Sequence, residues 1–424
     1  MNSPGNSKKP MGPGCDVFDP GSMPLDEAVR LILAAIPQPE HSRKVKLRKS
    51  LGRVLAEDIR AKSNVPNHTN SAMDGYAFNG TELDDEGLCE LKIIGTAYAG
   101  KPYQGTVKSG QAVKIMTGAV MPERTDTVVM QEYTEQEKDR VRITKAAKTG
   151  QNVRQAGEDI AKHSVVLRAG KRLAAADLGL LASLGFSKIR VFRKPRVAYF
   201  SNGDEIRQVG EPLQIGELYD SNRHTLYAML KNAGVKGIDL GVVGDDYKAI
   251  RKIIRKGDQV ADMVITSAGA SVGEADYVYD VLAELGKVNL WKIAVKPGRP
   301  LAFGELPNSV FFGLPGNPVS VMTSFASCIR PALEKLSGQT VSTPIQLRAK
   351  TTSDIRKRPG RSEFQRAQAY NTDDGELVVD VRKYQGSGVL SSMAEGNCFV
   401  FLDLESSGAQ AGDEVDILLF SELF

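Results

Sequence analysis

Residues 263–276 have the sequence MVITSAGASVGEAD, and this stretch decides the fold. Its apolar run 263–266 predicts a short buried strand. A loop with glycines at 269 and 273 follows, and a helical pattern begins at about Asp276. A buried strand that enters a helix through a glycine-rich loop is typical of parallel α/β sheets. The stretch therefore predicts one strand of such a sheet and a loop suited to binding a ligand.

Strand and helix patterns alternate on both sides of this stretch. Further apolar runs predict strands at 196–200, 238–243, 291–295 and 310–312. Helical patterns are found at 223–232, 246–255, 276–285 and 318–336. This alternation predicts a doubly wound, mostly parallel α/β domain with helices on both faces of the sheet.

The rest of the chain predicts smaller domains around this one. Short β-type runs separated by turn signals predict an inserted β-domain and a C-terminal β-barrel-like domain. A second helix is expected over 47–58. The complete division is a flexible tail at 1–22, an elongated helical linking domain at 23–61 and 161–194, the inserted β-domain at 62–160, the α/β domain at 195–340 and the barrel-like domain at 341–424.

Composition excludes several classes of protein. The hydrophobic content of 41% argues against a disordered chain. The net charge of +4 over 424 residues is too small to indicate a nucleic-acid-binding protein. No apolar run reaches the ~18 residues of a membrane span. The four scattered cysteines favour reduced thiols in a cytoplasmic protein.

Polar clusters follow nearly every predicted strand of the α/β domain. The carboxyl ends of parallel strands share one edge of the sheet, where ligands bind. Backbone N–H groups of the glycine-rich loop suit a phosphate or another oxyanion. The candidate anion-binding residues are Ser267, Gly269, Ser271, Gly273, Lys292, Lys296 and Arg299. The carboxylates suited to Mg²⁺ are Asp204, Glu205, Asp245 and Asp276.

Together these residues favour chemistry on a phosphate ester or phosphoanhydride. Taken singly, each residue has a plainer interpretation. The glycines could be turn residues and the acids helix caps. The lysines lie four apart on one face of a strand pattern and could belong to a solvated sheet edge. The chain has neither a Walker A motif nor G-x-G-x-x-G, which disfavours a P-loop NTPase and a Rossmann dehydrogenase. Elsewhere, Asp74, Arg366 and the loop 385–388 are weaker candidates that turns or surface charge would also explain.

The ordered motifs resemble those of the molybdopterin molybdenumtransferase family, which includes the C-terminal domain of gephyrin. The motifs that carry the resemblance are N-S-A-M-D-G-Y-A (70–77), I-M-T-G-A (115–119), V-V-M-Q-E (128–132), G-E-D-I (157–160), G-D-E-I (203–206), S-V-G-E-A-D-Y (271–277), K-P-G-R-P (296–300) and G-L-P-G-N-P-V-S (313–320). The resemblance implies an enzyme that inserts molybdenum from molybdate into adenylylated molybdopterin, with Mg²⁺-dependent cleavage of the phosphoanhydride and release of AMP. It also implies an elongated homodimer with an active cleft shared between subunits.

The resemblance also implies residue roles. The positions matching the family's catalytic residues are Asp74, Thr117, Asp159 and Asp245. The positions implied for Mg²⁺ are Glu205 and Asp276. The positions implied for molybdate and substrate phosphate are Lys292, Lys296, Ser320, Arg366 and Ser387.

Three positions depart from the family pattern. Ala268 stands where the family commonly has glycine, at a cost of about 1 kcal/mol if the backbone there needs a positive φ. Gln155 and Ala156 replace a basic run, which weakens any anion contact there. Arg299 replaces a commoner lysine and keeps the charge.

Two alternatives stay open, a molybdopterin adenylyltransferase and a gephyrin-like binding scaffold. The first would be expected to carry Gly-Gly-Thr-Gly where this chain has 270–274, and nothing in the sequence specifies a receptor groove for the second. Other enzymes of cofactor synthesis are possible partners.

Overall fold

A computed structural model describes residues 21–268 and 277–424. The helices are α1 (Leu25–Ala35), α2 (Ala175–Ser183), α3 (Ser221–Asn232), α4 (Tyr247–Val260), α5 (Tyr277–Leu285), α6 (Pro318–Ser324), α7 (Arg330–Leu336), α8 (Ser391–Glu395) and α9 (Phe420–Leu423). The strands of the first half are β1 (Ser42–Lys46), β2 (Ile59–Arg60), β3 (Asn70–Ser71), β4 (Gly75–Phe78), β5 (Glu90–Ala97), β6 (Gln111–Ile115), β7 (Thr127–Met130), β8 (Thr134–Glu137), β9 (Arg140–Ile143), β10 (Val153–Arg154), β11 (Val165–Leu167) and β12 (Lys188–Phe192). Those of the second half are β13 (Arg196–Asn202), β14 (Ile206–Arg207), β15 (Leu218–Tyr219), β16 (Lys236–Val243), β17 (Met263–Ser267), β18 (Lys287–Lys292), β19 (Val295–Lys296), β20 (Pro300–Glu305), β21 (Val310–Leu314), β22 (Leu347–Thr351), β23 (Ile355–Arg356), β24 (Ser362–Asn371), β25 (Leu377–Val381), β26 (Cys398–Leu402), β27 (Gly408–Ala409) and β28 (Glu414–Leu419).

The chain divides into two compact units. The larger unit comprises residues 21–43, Gly52–Val54 and Phe192–Phe424, and the smaller unit comprises Lys44–Leu51 and Leu55–Val191. The five-part domain division stays a prediction. Across residues 21–268 and 277–424, no helix combines the length and the apolar character that a bilayer crossing requires.

A six-stranded sheet organises the larger unit, in the order β16-β13-β17-β21-β20-β18. The first four strands are parallel, as the sequence predicted. Alternate residues of β13 point to opposite faces: Val197 and Tyr199 pack in one core cluster, and Ala198 and Phe200 pack in another. Helices α3, α6 and α7 cover the first face, and α4 and α5 cover the second. The predicted doubly wound α/β arrangement is confirmed.

The last two strands of this mostly parallel sheet are joined by antiparallel pairings. Strand β20 is antiparallel to β21, and β18 is antiparallel to β20. The predicted strand over 291–295 is wrong, because the chain leaves β18 after Lys292 and starts the separate strand β19 at Val295. The two reversals leave β18 pointing in the same direction as β21. Lys292 therefore still ends at the carboxyl edge of the parallel strands.

The C-terminal part of the larger unit contains a closed β-barrel-like sheet. Strand β24 pairs with both β25 and β26, while β22 and β28 complete the circuit. Small and β-branched side chains, including Ala367, Val379 and Ile417, fill its interior. Strand β19 adds to β24 in parallel register, with Lys296 opposite Glu363.

The smaller unit is built on a second six-stranded sheet, in the order β7-β4-β6-β5-β9-β8. Tyr76 and Phe78 of β4 pack into one core cluster and Ala77 packs into another, which is the alternation expected of a strand buried on both faces. The predicted helix over 47–58 is wrong. A short 3₁₀ turn, Leu47–Ser50, ends before Gly52, whose φ of +69° a helix does not accept.

Candidate active site at the carboxyl edge of the sheet

Two polar chains cross the carboxyl edge of the parallel strands in the larger unit. In the first, the Thr266 hydroxyl lies 2.9 Å from Asn202 Oδ1 and 3.0 Å from the carbonyl oxygen of Ala268. Asn202 Nδ2 then donates to Asp245 Oδ1 at 3.3 Å. The backbone N–H of Asp245 donates to Asp204 Oδ1 at 3.1 Å. The acidic ends of β13 and β16 are thereby connected to the end of β17.

The second chain centres on Asp220, which is 2% exposed. Its Oδ1 accepts from the Ser201 hydroxyl at 2.9 Å, and Oδ2 accepts from Arg223 Nε at 2.9 Å. Ser201 Oγ lies 2.8 Å from Ser267 Oγ. Ser267 is therefore a buried part of the sheet edge. The sequence analysis missed Asp220, Thr266 and Asn202 as functional candidates. Thr266 and Asn202 are polar residues in the last two positions of otherwise apolar strands, and this signal could have found them.

Glu205 lies on an exposed loop directly after β13. Gly203 has a φ of +142°, and a Cβ at this position would come within 2.6 Å of Glu205 Oε2. The carboxylate therefore folds over the glycine backbone.

Within the described ranges, no three His, Cys, Asp or Glu side chains group closely enough to hold a metal ion on their own. The predicted residues that fall outside the described ones are Gly269, Ser271, Gly273 and Asp276.

Lys292 and Lys296 belong to two different strands. The expectation that they share one face of a single strand is therefore wrong, since Lys292 ends β18 of the central sheet and Lys296 lies in β19 beside the barrel. Lys296 Nζ lies 3.6 Å from the buried carboxylate of Glu363. Arg299 is half-buried, and its carbonyl accepts from the N–H of Ile293 at 2.7 Å, closing the turn that carries Lys296.

Arg366 is a fully buried cation in β24. Its NH2 group donates to the carbonyl of Gly386 at 2.9 Å and its Nε donates to Ser392 Oγ at 3.1 Å. Burial lowers the pKa of Arg366 to about 10. The guanidinium thus holds the loop that contains Ser387.

That loop meets the start of α6. The carbonyl of Ser387 accepts from the N–H of Val319 at 3.1 Å. Ser320, one residue further along, is 4% exposed. A Cβ at Gly298 would lie 3.5 Å from the carbonyl oxygen of Ser320, so the turn after Lys296 packs against the same helix. The structure therefore brings together Ser320, Ser387 and the turn after Lys296, which come from three separate stretches of the sequence.

In the smaller unit, the structure joins two of the candidate residues directly. The backbone N–H and the hydroxyl of Thr117 both donate to Asp74 Oδ1, at 2.6 and 2.7 Å. The N–H and then the hydroxyl lower the pKa of the Asp74 carboxyl. Asp159 is exposed on the segment that follows β10, and β10 pairs with β3 just before Asp74. The Gln155 side chain is exposed, and its Oε1 accepts from the Thr69 hydroxyl at 3.4 Å.

Three family models match the chain in sequence. They are described as the MoeA N-terminal region (domain I and II) over residues 23–185, a probable molybdopterin binding domain over 198–335, and the MoeA C-terminal region (domain IV) over 348–420. The second covers the α/β sheet, and the third covers most of the barrel.

Named relatives align with nearly the whole chain. A molybdopterin molybdenumtransferase of Haemophilus influenzae is 41% identical and covers 94% of this chain and 99% of its own length. One of Bacillus subtilis is 32% identical and covers 94% of both.

A solved structure agrees with the fold. The molybdopterin biosynthesis moeA protein of Pyrococcus horikoshii OT3 is 31% identical, with a TM-score of 0.81, and covers 94% of this chain and 100% of its own. Motif order, fold and relatives agree, and the chain belongs to the molybdopterin molybdenumtransferase family, enzymes of molybdenum cofactor biosynthesis.

Proposed function

We propose that this enzyme inserts molybdenum from molybdate into adenylylated molybdopterin, cleaving the phosphoanhydride and releasing AMP. The observation that carries the proposal is the distribution of charge in the larger unit. Carboxylates follow β13 and β16 at the sheet edge, while Lys292 ends β18 at the same edge. A substrate with a phosphoanhydride and an oxyanion needs both a metal-binding and a cationic region.

The acidic loops are suited to Mg²⁺, with Glu205 and Asp276 as the protein ligands and Asp245 as a catalytic residue. Mg²⁺ is commonly bound through one or two carboxylates plus substrate phosphates, so a complete protein cage is not required. When bound, the metal supplies charge neutralisation at the phosphoanhydride. Asp204 holds the backbone of Asp245, and Asn202 holds its side chain.

Molybdate would bind on the cationic side, near Lys292, Lys296, Arg299, Ser320 and Ser387. Lys296 supplies charge, and the buried Arg366 keeps the Ser387 loop in place. Ser267 and the glycine-rich loop would contact the substrate phosphates. Asp74, Thr117 and Asp159 are proposed as catalytic residues that reach the crevice of the partner subunit in a homodimer.

Purified enzyme with adenylylated molybdopterin, Mg²⁺ and molybdate is expected to release AMP and form a molybdenum-bearing product detectable by mass spectrometry. Formation of pyrophosphate from ATP and unmodified molybdopterin would instead support the adenylyltransferase alternative. The cytoplasm is the proposed compartment, supported by the free thiols of Cys89, Cys328 and Cys398.

The anion site has its own test. Lys296→Ala is expected to raise the molybdate concentration for half-maximal insertion at least tenfold, because one charge-assisted contact contributes about 1.5–3 kcal/mol. Glu363→Gln is the matched variant, since it removes the carboxylate partner and keeps the ammonium group. Equal molybdate affinity in the wild type and Lys296→Ala would place the oxyanion elsewhere.

A further inference from the structure

Thr266 is a buried hydroxyl to which the proposed reaction assigns no role. Its side chain is fully buried, one residue before the end of β17. Its Oγ1 lies within hydrogen-bond distance of two acceptors, Asn202 Oδ1 on β13 and the carbonyl of Ala268. A hydroxyl has one proton, so the two acceptors share it. The same group thus contacts a neighbouring strand and the first residue of the glycine-rich loop.

Asn202 extends this contact to an acidic residue. Its Oδ1 faces Thr266, which leaves Nδ2 to donate to Asp245 Oδ1 at 3.3 Å. The hydrogen-bond pattern therefore sets the orientation of the amide. Asp204 holds the backbone of Asp245 separately, through its N–H. What depends on Asn202 is the direction of the Asp245 carboxylate.

Ala268 is the other end of the chain of contacts. Its φ of +71° is a left-handed conformation that alanine rarely adopts. The bond from Thr266 to the Ala268 carbonyl opposes relaxation of this residue. Buried polar groups have no water to replace a lost partner. This series of hydrogen bonds therefore favours a single arrangement of the side chains that it joins.

We propose that Thr266 and Asn202 are positioning residues that orient the Asp245 carboxylate and hold the Ala268 backbone at the carboxyl edge of the sheet, beside one substrate crevice. They act through Asp245 and Ala268, and both are themselves buried, with Thr266 0% and Asn202 6% exposed. The inference rests on the proposed function, in which that crevice holds the phosphoanhydride end of the substrate.

Thr266→Val tests this proposal, because valine keeps the β-branched shape and removes the hydroxyl. Thr351→Val is the matched control: Thr351 is also a buried strand-end threonine, 2% exposed, whose hydroxyl donates to a carbonyl two residues later, that of Ser353 at 2.7 Å. Thr266→Val is expected to lower kcat for AMP release at least tenfold and to change the substrate KM less than threefold. The kcat of Thr266→Ser should stay within threefold of the wild-type value, and the kcat of Thr351→Val should equal the wild-type value.

A crystal structure of Thr266→Val provides a readout independent of turnover. The Asn202 amide is expected to lose its contact with Asp245, or Ala268 to leave its positive φ. An Asn202–Asp245 contact and an Ala268 conformation that both remain as in the wild type would overturn the proposal, as would activity equal to that of Thr351→Val. If the wild type released no AMP, the proposed function would fail, while the crystal structure would still decide the positioning role.

Discussion

At the scale of single residues, Ala268 has the conformation that the family's glycine would adopt without strain. Its φ is +71°, so this position does have the positive φ at which alanine is strained and glycine is not. Ala268→Gly is expected to raise the free energy of unfolding by about 0.5–1 kcal/mol, because the relief of Cβ strain exceeds the added chain entropy of glycine. Urea unfolding measures the change as a higher midpoint at constant m-value.

The control for this prediction is an alanine with ordinary backbone geometry. Ala228 is an exposed residue in the interior of α3. Ala228→Gly should lower the free energy of unfolding by about 1 kcal/mol, as glycine does in helix interiors. Equal destabilisation by both substitutions would show that Ala268 is not strained.

Asp74 shows how one hydroxyl affects a titration. The N–H of Thr117, and then its hydroxyl, lower the Asp74 pKa, so the resulting stability is complete above the unfolded-state pKa and is lost as pH falls through the folded-state pKa. Thr117→Val keeps the N–H, and the pKa should rise part of the way toward its ordinary value. The stability contribution of Asp74 would then be smaller, and its loss on acidification would be complete at a higher pH.

Carboxyl ¹³C shifts measured by NMR during a pH titration would follow Asp74 directly. Thr125→Val is the control, because the Thr125 hydroxyl donates to the Pro122 carbonyl in the same unit. It should leave the Asp74 titration unchanged. An unchanged Asp74 pKa in Thr117→Val would mean that the hydroxyl contributes nothing.

At the scale of elements, the apolar runs predicted the parallel strands well. Strands β13, β17 and β21 are largely buried, while the edge strand β16 is half-buried and packs its apolar residues against one core cluster. The strand over 291–295 was not predictable by the same argument. An apolar run does not reveal that one strand ends and another starts in a different sheet. The contacts from Thr266 and Asp220 were also invisible, because their partners lie up to 64 residues away and local spacing carries no information about them.

The Arg366 contacts give a prediction for the loop 384–388. Arg366→Lys removes the forked guanidinium that bonds Gly386 and Ser392, and an ammonium group cannot reproduce that geometry. The variant is expected to lose about 1.5–3 kcal/mol of stability. Hydrogen exchange of the Val319 N–H, which donates to Ser387, should accelerate.

Arg382→Lys is the matched control for the loop. Arg382 pairs with the exposed Glu395 across the surface, an interaction of small energy. Its replacement should change stability by at most about 0.5 kcal/mol. Unaltered Val319 exchange in Arg366→Lys would show that the loop is held by other contacts.

At the scale of the whole molecule, the candidate residues are distributed over both compact units. Asp74, Thr117 and Asp159 belong to the smaller unit, while the acidic and cationic loops belong to the larger one. The order of the motifs predicted that the chain belongs to this family, because each motif is a local stretch of sequence that can be recognised without knowing the fold. The assembly that would bring the two groups of residues to one substrate is not encoded in any local pattern, and the homodimer therefore stays a proposal.

Complementation between inactive subunits tests that assembly. If each site takes Asp74 from one subunit and Asp276 from the other, a heterodimer of Asp74→Asn and Asp276→Asn chains has one intact site and one doubly substituted site. Random pairing of equal amounts makes about half of the dimers mixed, so AMP release should recover to about one quarter of the wild-type rate. If both residues act within one subunit, every site carries one substitution and mixing restores nothing. Sedimentation at the assay concentration must show a dimer, and a monomer that retains full turnover would exclude the shared site.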